Sequence, residues 1–249
     1  MQQPARNKTR RGFFKLCSAV LAASVNPRLL AAQRSIVRPY PRTCLVDPQG
    51  NPLSLGQLEE GVGYVFTYPY RTTPCFLIDL GIATGEAVEL STESGQPYRW
   101  EGGVGAKGSV VAFSAICAHK LSHPARSISF INYRHETVDF RNTAEARERR
   151  SRVIYCCSEN SVYDPAQGAR VLGGPAPQPL ATVLLEHDPT RDCVFAIGTL
   201  GGEKFEEYFD KFAFRLALEF RTDDIRTPVA HTTPVVPISE YSETQRMCG

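Results

Sequence analysis

The sequence predicts an all-β fold, and two observations carry that prediction. Short apolar or β-branched runs recur from about residue 44 onward, and clusters of Gly, Pro, Asp or Ser separate them, as is typical of an antiparallel β sandwich or barrel. There is no strand–helix alternation, and the glycine-rich stretch 102–108 precedes a strand instead of opening a helix, so a parallel sheet with a phosphate loop is not expected. The strand-like runs read GYVFTY, PCFLIDL, GSVVAFSAI, RSISFI, RVIYC, ARVLG, LATVLLEH and CVFAIG.

Composition and charge narrow the classes of function. The chain has 249 residues, 42% of them hydrophobic and 22% charged, which is ordinary for a globular domain. The formal net charge of +2 is concentrated at the N-terminus, and the remainder of the chain is faintly acidic. A faintly acidic body lacks the basic surface that nucleic-acid binding requires, so no nucleic-acid partner is expected.

The first 32 residues read as an export signal. The stretch KTRRGFFKLCSAVLAASV has a basic start and then an apolar run from Leu16 to Val25, which is short of the roughly 20 residues that span a bilayer. The Arg10–Arg11 pair resembles a twin-arginine signal, a route that exports folded proteins with their cofactors in place. We therefore predict a periplasmic protein, with an uncleaved inner-membrane anchor as the alternative.

Two segments depart from the β pattern. Residues 132–152 are highly charged and predict a solvated insertion between two strands, ending in a short helix that Asn142 and Glu145 would cap. In the C-terminal segment 201–249, the aromatic spacing first fits a helix and from Phe212 to Phe220 alternates as in a strand. An extended Pro/Thr-rich tail follows, predicted to wrap over the domain or a partner.

Cysteine and histidine residues suggest a metal centre. Cys117 and His119 are one residue apart, and Cys156 follows about forty residues later, at the end of a predicted strand. Two ligand loops at the tips of neighbouring hairpins can enclose a small centre, and thiolate and imidazole ligands suit zinc or a [2Fe-2S] cluster.

Three motifs in order decide between these metals. The chain reads CAH at 117–119, CCSENSVYD at 156–164 and GPAPQPL at 174–180. Over residues 109–200 it thereby resembles the Rieske iron–sulfur family. The resemblance implies a Rieske-like antiparallel β sandwich over 44–200, with a small cluster-binding subdomain formed by loops 115–124 and 154–180.

The resemblance implies roles for individual residues. Cys117 and Cys156 would bind the inner iron of a [2Fe-2S] cluster and His119 the outer iron. Imidazole ligands in place of thiolates raise the reduction potential of such clusters. The remaining cofactor-binding positions are two hydroxyl donors to the cluster sulfurs and the start of the Pro loop that covers it, namely Ser161, Tyr163, Gly174 and Pro175.

The second histidine of the family pattern is missing. Glu159 stands at its position and is the predicted fourth metal ligand. The alternatives are Cys157, His123 or His135, or a site that has lost its cluster or binds another metal. In addition, Asn160 stands where glycine is usual, and the family's inter-loop disulfide is replaced by Ser122 and Ser158.

Four further cysteines have no predicted ligand role. Cys44, Cys75, Cys193 and Cys248 allow three full pairings in an oxidising compartment, and the sequence does not choose among them.

Two functions follow. The first is an electron-transfer protein, a small redox subunit or partner of a periplasmic or membrane oxidoreductase, whose own partner is a cytochrome or a catalytic subunit. We expect a redox subunit more than an enzyme on its own, since the chain has no room for the additional domain of a Rieske oxygenase. The alternative is a structural or interaction subunit with a degenerate or absent cluster.

Overall fold

A computed structural model describes residues 36–249. The predicted export signal, residues 1–32, lies outside the described residues. Among the helices of the described range, none has the length and apolar character needed to cross a membrane.

The described chain forms sixteen strands, two 3-10 turns and two α-helices. The strands are β1 Val37–Val46, β2 Gly63–Thr67, β3 Pro74–Asp79, β4 Val88–Ser91, β5 Pro97–Trp100, β6 Val110–Ser114, β7 Ile131–Arg134, β8 Val138–Arg141, β9 Arg147–Arg150, β10 Val153–Cys156, β11 Ser161–Asp164, β12 Arg170–Gly173, β13 Thr182–Asp188, β14 Cys193–Leu200, β15 Thr232–Pro234 and β16 Val236–Pro237. The α-helices are α1, Phe205–Phe220, and α2, Ile238–Tyr241, and the 3-10 turns are Leu55–Gln57 and Pro165–Gln167.

The predicted all-β fold is confirmed. Eight strands form one sheet in the order β15-β1-β14-β13-β6-β3-β2-β16, whose pairings are antiparallel apart from β1 with β15. The C-terminal segment after residue 201 supplies β15 and β16, so it adds a strand to each edge of this sheet. The antiparallel pairing explains the short runs and turn clusters of the sequence, since neighbouring strands are joined by tight connections.

A smaller four-stranded sheet, β12-β11-β10-β7, carries the second candidate loop. Apolar side chains of the large sheet, among them Phe76 and Phe113, pack in one buried cluster with Ile131, Ile154 and Tyr163 of the small sheet. Cys117 and Cys156 belong to the same cluster. The candidate ligands therefore lie where the two sheets share a core, and core packing fixes both of their loops.

The charged segment 132–152 is not an insertion that ends in a helix. It contains most of β7 and all of β8 and β9. Two residues of β8, Val138 and Phe140, are buried. The Asn142 side chain accepts hydrogen bonds from the backbone N–H groups of Ala144 and Ala146, closing a hairpin turn. The predicted helix was wrong because an Asn that can cap a helix can equally close a turn.

The C-terminal aromatic segment is a single helix throughout. Phe205, Tyr208, Phe209 and Leu216 of α1 are buried, whereas Phe214 is 80% and Leu218 is 64% exposed. The predicted strand over 212–220 was therefore wrong, because the alternation of apolar residues arises partly from side chains that face solvent. The buried face packs on Ile116 and Leu121, which flank Cys117, so α1 supports the first candidate loop.

Candidate metal centre

The first loop leaves β6 and turns back on itself at Cys117. The backbone N–H of Cys117 donates to the carbonyl of Ser122 at 2.9 Å, and the N–H of Leu121 donates to the carbonyl of Cys117 at 3.0 Å. Leu121 has a positive φ of 62°, a conformation that a leucine adopts only when its surroundings hold it there. The buried side of Leu121 packs on α1, which stabilises this turn.

The second loop is the tip of the hairpin formed by β10 and β11. Cys156 and Ser161 are paired across the hairpin, and four residues connect them. Asn160 has a φ of 59°, in the left-handed region that Asn tolerates better than most residues because its short polar side chain can bond locally. The requirement for glycine at this position of the family pattern is thus met by the next most suitable residue.

Side-chain contacts join the two loops. The Cys156 thiol donates a hydrogen bond to the Cys117 sulfur. The Ser122 hydroxyl donates to the Ser158 hydroxyl at 2.7 Å, at the two positions where the family has its inter-loop disulfide. These contacts bring the two sequence motifs, about forty residues apart, side by side.

Cys117 and Cys156 are buried, and neither is disulfide-bonded within the described part of the chain. The hydrogen bond from Cys156 lowers the pKa of Cys117 to about 6, assisted by Tyr163 and the backbone N–H groups of His119 and Lys120. The same hydrogen bond, together with burial, raises the pKa of Cys156. The loop therefore stabilises a thiolate at Cys117, and a thiolate is the form in which cysteine binds metals.

Three polar atoms of the first loop and of β11 bear on the candidate site. The Tyr163 hydroxyl lies 3.3 Å from Cys117 Sγ and accepts a hydrogen bond from the backbone N–H of Ala118 at 3.2 Å. Ser161 Oγ and His119 Nδ1 are buried and find no hydrogen-bond partner among residues 36–249. A buried polar atom without a partner is costly, so these two atoms are available to bind an additional group.

The Pro loop packs directly on the second loop at Gly174. A Cβ atom at Gly174 would lie 2.3 Å from the Asn160 carbonyl oxygen and 2.7 Å from Ser161 Cα. Further along, Gln178 fixes the loop, because its Nε2 donates to the Gly202 carbonyl at 2.6 Å and its Oε1 accepts from the Glu93 N–H at 2.9 Å. The exposed Pro175 follows Gly174 at the rim, so the predicted cover lies over the tip of the second loop.

Glu159, the predicted fourth ligand, lies at the tip of the second loop. Its side chain is 45% exposed, and its carboxylate is 3.4 Å from Lys120 Nζ, the residue that follows His119. The carboxylate is thus on the side of the second loop that faces the first loop. Within residues 36–249, no three His, Cys, Asp or Glu side chains converge as ligands of a single ion.

The alternative fourth ligands lie elsewhere. Cys157 is bonded to Cys248 in a disulfide, so it has no thiolate to offer. The predicted set of disulfide partners was therefore incomplete, since it included Cys248 but not Cys157. Cys157 follows Cys156 directly, yet it escapes the buried site because successive side chains of a strand point to opposite faces.

The two histidine alternatives are held away from the cysteine pair. The His123 ring packs edge-on against Tyr208 and Phe212, with ring centroids 4.8 and 4.9 Å apart, and its Nδ1 donates to the Leu121 carbonyl. His135 follows β7 at the end paired with Val153, whereas Cys156 is paired with Ile131 at the opposite end. At about 3.3 Å per residue, that register separates His135 from the site by roughly 13 Å.

The candidate residues provide both cysteine ligands for the inner iron of a two-iron cluster, but only one histidine for the outer iron. Cys117 and Cys156 form a thiol pair suited to the inner iron, and the unpartnered His119 Nδ1 is the nitrogen available to the outer iron. A two-iron cluster divides its ligands between two metal ions, so it does not require three side chains at one point. The fit extends to Ser161 and Tyr163, whose hydroxyl groups are available to the sulfurs.

Comparison with known proteins adds a likeness in structure. No protein-family model matches the chain. Among solved structures, the chain is similar to the soluble domain of the Rieske protein II (soxF) from Sulfolobus acidocaldarius, at 26% sequence identity and a TM-score of 0.44. The match covers 66% of this chain and 82% of that one. Because the TM-score is low, the functional argument rests on the residues of the site and not on this similarity.

Proposed function

We propose that the protein is an electron-transfer protein that binds a Rieske-type [2Fe-2S] cluster. The observation that carries the proposal is the pair of buried cysteines, Cys117 and Cys156, which two loops bring together and which form no disulfide within residues 36–249. His119 and Ser161, near them in the sequence, each have a buried polar atom without a partner in the same range. Such a cluster, when bound, takes up and releases one electron. The protein then needs no substrate pocket, only a cluster near the surface and a face for its redox partner.

The residues of the site have two proposed roles: some would bind the iron atoms, and others would adjust the reduction potential of the cluster. Cys117 and Cys156 would hold the inner iron, and His119 would hold the outer iron through Nδ1, which lacks a partner among residues 36–249. Tyr163 is suited to donate a hydrogen bond to the Cys117 sulfur, because burial raises the pKa of its hydroxyl and keeps it protonated. The Ser161 hydroxyl, which has no partner among residues 36–249, would donate a hydrogen bond to a cluster sulfide. Hydrogen bonds to the sulfurs favour the reduced cluster and raise its potential.

We propose Glu159 as the fourth ligand. Its exposed side chain is free to turn, and its ion pair with Lys120 is a surface pair of low energy that is readily exchanged. An anionic oxygen ligand offsets part of the rise in potential that an imidazole would give. It also carries no dissociable imidazole proton, so coupling of electron to proton transfer at this position is lost. This favours a small redox subunit over a quinol-oxidising component.

The setting proposed is the periplasm, reached by the twin-arginine route, with a cytochrome or the catalytic subunit of an oxidoreductase as partner. The Cys157–Cys248 disulfide supports an oxidising compartment, since such bonds are rare where thiols are kept reduced. The basic pair at Arg10–Arg11 supports export of a folded, cofactor-loaded protein.

Purified protein tests the proposal directly. We expect about two iron and two acid-labile sulfide atoms per chain, as for a [2Fe-2S] centre, and a Rieske-type EPR signal after reduction. The EPR spectra of Glu159→Ala and Glu159→His then test whether Glu159 is the fourth ligand. Glu136→Ala, an exposed residue on another turn, is the control. An Ala variant with the wild-type EPR spectrum would exclude Glu159 as a ligand.

A structural or interaction subunit is the second candidate function. The observation that favours it is the surface ion pair of Glu159 with Lys120. Glu159 occupies the position of the family's second histidine, and in this pair its carboxylate binds a lysine instead of a metal. Colourless, iron-free protein from cells with active cluster assembly would support this function and exclude the first.

A further inference from the structure

The C-terminal tail runs beside the segment that leaves the first loop. The Ser242 hydroxyl donates to the Ala125 carbonyl at 2.7 Å, and the Glu243 N–H donates to the Arg126 carbonyl at 2.8 Å. Ser129 then donates its N–H to the Thr244 carbonyl and accepts from the Arg246 N–H, both at 2.8 Å. Residues 242–246 thus form an added strand-like layer along residues 125–129.

The second loop lies against the same segment. The backbone N–H of Cys157 donates to the Phe130 carbonyl at 2.6 Å. The buried Asn132 side chain donates to the Arg246 carbonyl at 3.0 Å, and an Arg134 guanidinium N–H donates to the Cys248 carbonyl. Residues 125–134 therefore contact both the second loop and the tail.

A covalent bond joins the tail to the second loop. The disulfide connects Cys157, the residue after the candidate ligand Cys156, to Cys248, one residue before the end of the sequence. Without the bond, the tail would be held by hydrogen bonds alone, although Glu243, Thr244, Arg246 and Met247 are exposed. Exposed segments held only by hydrogen bonds open easily.

Apart from the contact between the Cys117 and Cys156 side chains, the direct links between the loops are weak. Ser122 and Ser158 share one hydrogen bond, and the ion pair of Lys120 with Glu159 is solvent-exposed. Neither contact constrains the second loop as a covalent bond does.

We propose that the tail, residues 242–249, is a covalent clamp that positions the second loop, replacing a bridge between positions 122 and 158. Cys157 and Cys248 are the positioning residues, and they act on the cluster through the backbone of Cys156. The statement about the cluster rests on the proposed function, whereas the statement about the loop does not.

Hydrogen exchange on the cluster-free protein tests the clamp. In Cys157→Ser/Cys248→Ser, we expect the amides of residues 157–161 to exchange at least tenfold faster than in the wild type. Cys44→Ser, which removes a half-buried cysteine in β1, serves as the control and should leave these rates unchanged. Faster exchange confined to residues 242–249 would overturn the proposal, since the tail would then open without affecting the loop.

A rescue variant separates positioning from general stability. Adding Ser122→Cys/Ser158→Cys to the double variant places a bridge directly between the loops, where the hydroxyl groups are already 2.7 Å apart. Once alkylation and mass measurement show that the new disulfide has formed, we expect exchange at residues 157–161 to return to within twofold of the wild type. Exchange that stays fast with the bridge formed would contradict the proposal.

Reconstitution with iron and sulfide extends the test to the cluster. We expect broader EPR lines and faster loss of the cluster in the double variant, because a loosened Cys156 adopts several geometries, and recovery of both in the rescue variant. EPR lines as narrow as in the wild type would overturn the proposed action on Cys156. A wild-type protein that binds no cluster would contradict the proposed function, while the exchange rates would still decide the clamp.

Discussion

The Tyr163 hydroxyl lies 3.3 Å from Cys117 Sγ while accepting a hydrogen bond from the Ala118 N–H at 3.2 Å. The amide thereby occupies one lone pair of the hydroxyl and directs its proton towards the sulfur. Tyr163 is paired with Ile154 within the small sheet and is fully buried, so its position is fixed by the core.

Tyr163→Phe removes this donor and little else. We expect the cluster to form but its midpoint potential to fall by about 30–60 mV, since tenfold in a one-electron equilibrium corresponds to about 59 mV. A redox titration followed by EPR measures the shift. Tyr155→Phe, whose residue lies on the neighbouring strand, is the control, and an equal shift in both variants would contradict a role for the Tyr163 hydroxyl.

Gly174→Ala tests the contact between the Pro loop and the second loop. The new Cβ would lie 2.3 Å from the Asn160 carbonyl oxygen, and φ at Gly174 is +77°. We expect a loss of unfolding free energy of about 3 kcal/mol or more, from overpacking together with the left-handed conformation. Denaturant unfolding measures it.

Gly85→Ala is the matched control for that substitution. Gly85 has a similar φ of +79° but no atom within 4 Å of the new Cβ, so only the conformational cost of about 1–2 kcal/mol remains. Equal losses in the two variants would show that the contact with Asn160 is not tight.

Acid should destabilise the protein through His123. Burial lowers the pKa of His123 to about 4 in the folded protein, against about 6.5 when unfolded. Between these values the unfolded chain binds a proton that the folded chain does not, so stability falls as pH falls from 6.5 to about 4. The full effect is on the order of 3 kcal/mol.

His123→Phe removes this titration while keeping an aromatic ring against Tyr208 and Phe212. We expect the difference in unfolding free energy between pH 7.5 and pH 4.5 to shrink by about 2–3 kcal/mol. The exposed His231→Gln is the control and should keep the wild-type difference. A His123→Phe variant with the full wild-type difference would assign the acid sensitivity to other groups.

The helical course of α1 is tested by two identical substitutions. Leu216 is fully buried and Leu218 is 64% exposed, although both belong to the alternating sequence pattern. We expect Leu216→Ala to cost about 2–5 kcal/mol of unfolding free energy and Leu218→Ala less than about 0.5 kcal/mol. Comparable losses at both positions would instead fit a strand with one buried face.

The sequence alone located much of the site because its signals are local. Cys117, His119 and Cys156 lie at fixed spacings from Ser161, Tyr163 and the Pro loop, and this spacing fixed which cysteine of the pair faces the core. The all-β fold was predictable for a similar reason, because the apolar residues within each short segment indicate a strand without reference to the rest of the chain.

Where local patterns were ambiguous, the tertiary structure decided. Asn142 closes a turn instead of capping a helix, and the apolar residues after Phe212 continue a helix, because packing against the first loop selects the 3.6-residue period. The pairing of Cys157 with Cys248 was not predictable, since their 91-residue separation carries no local signal and depends on where the chain brings its tail.

The sequence thus determined which residues are candidate ligands of a cluster. Only the tertiary structure decided what holds those residues in place, because such contacts join distant segments of the chain.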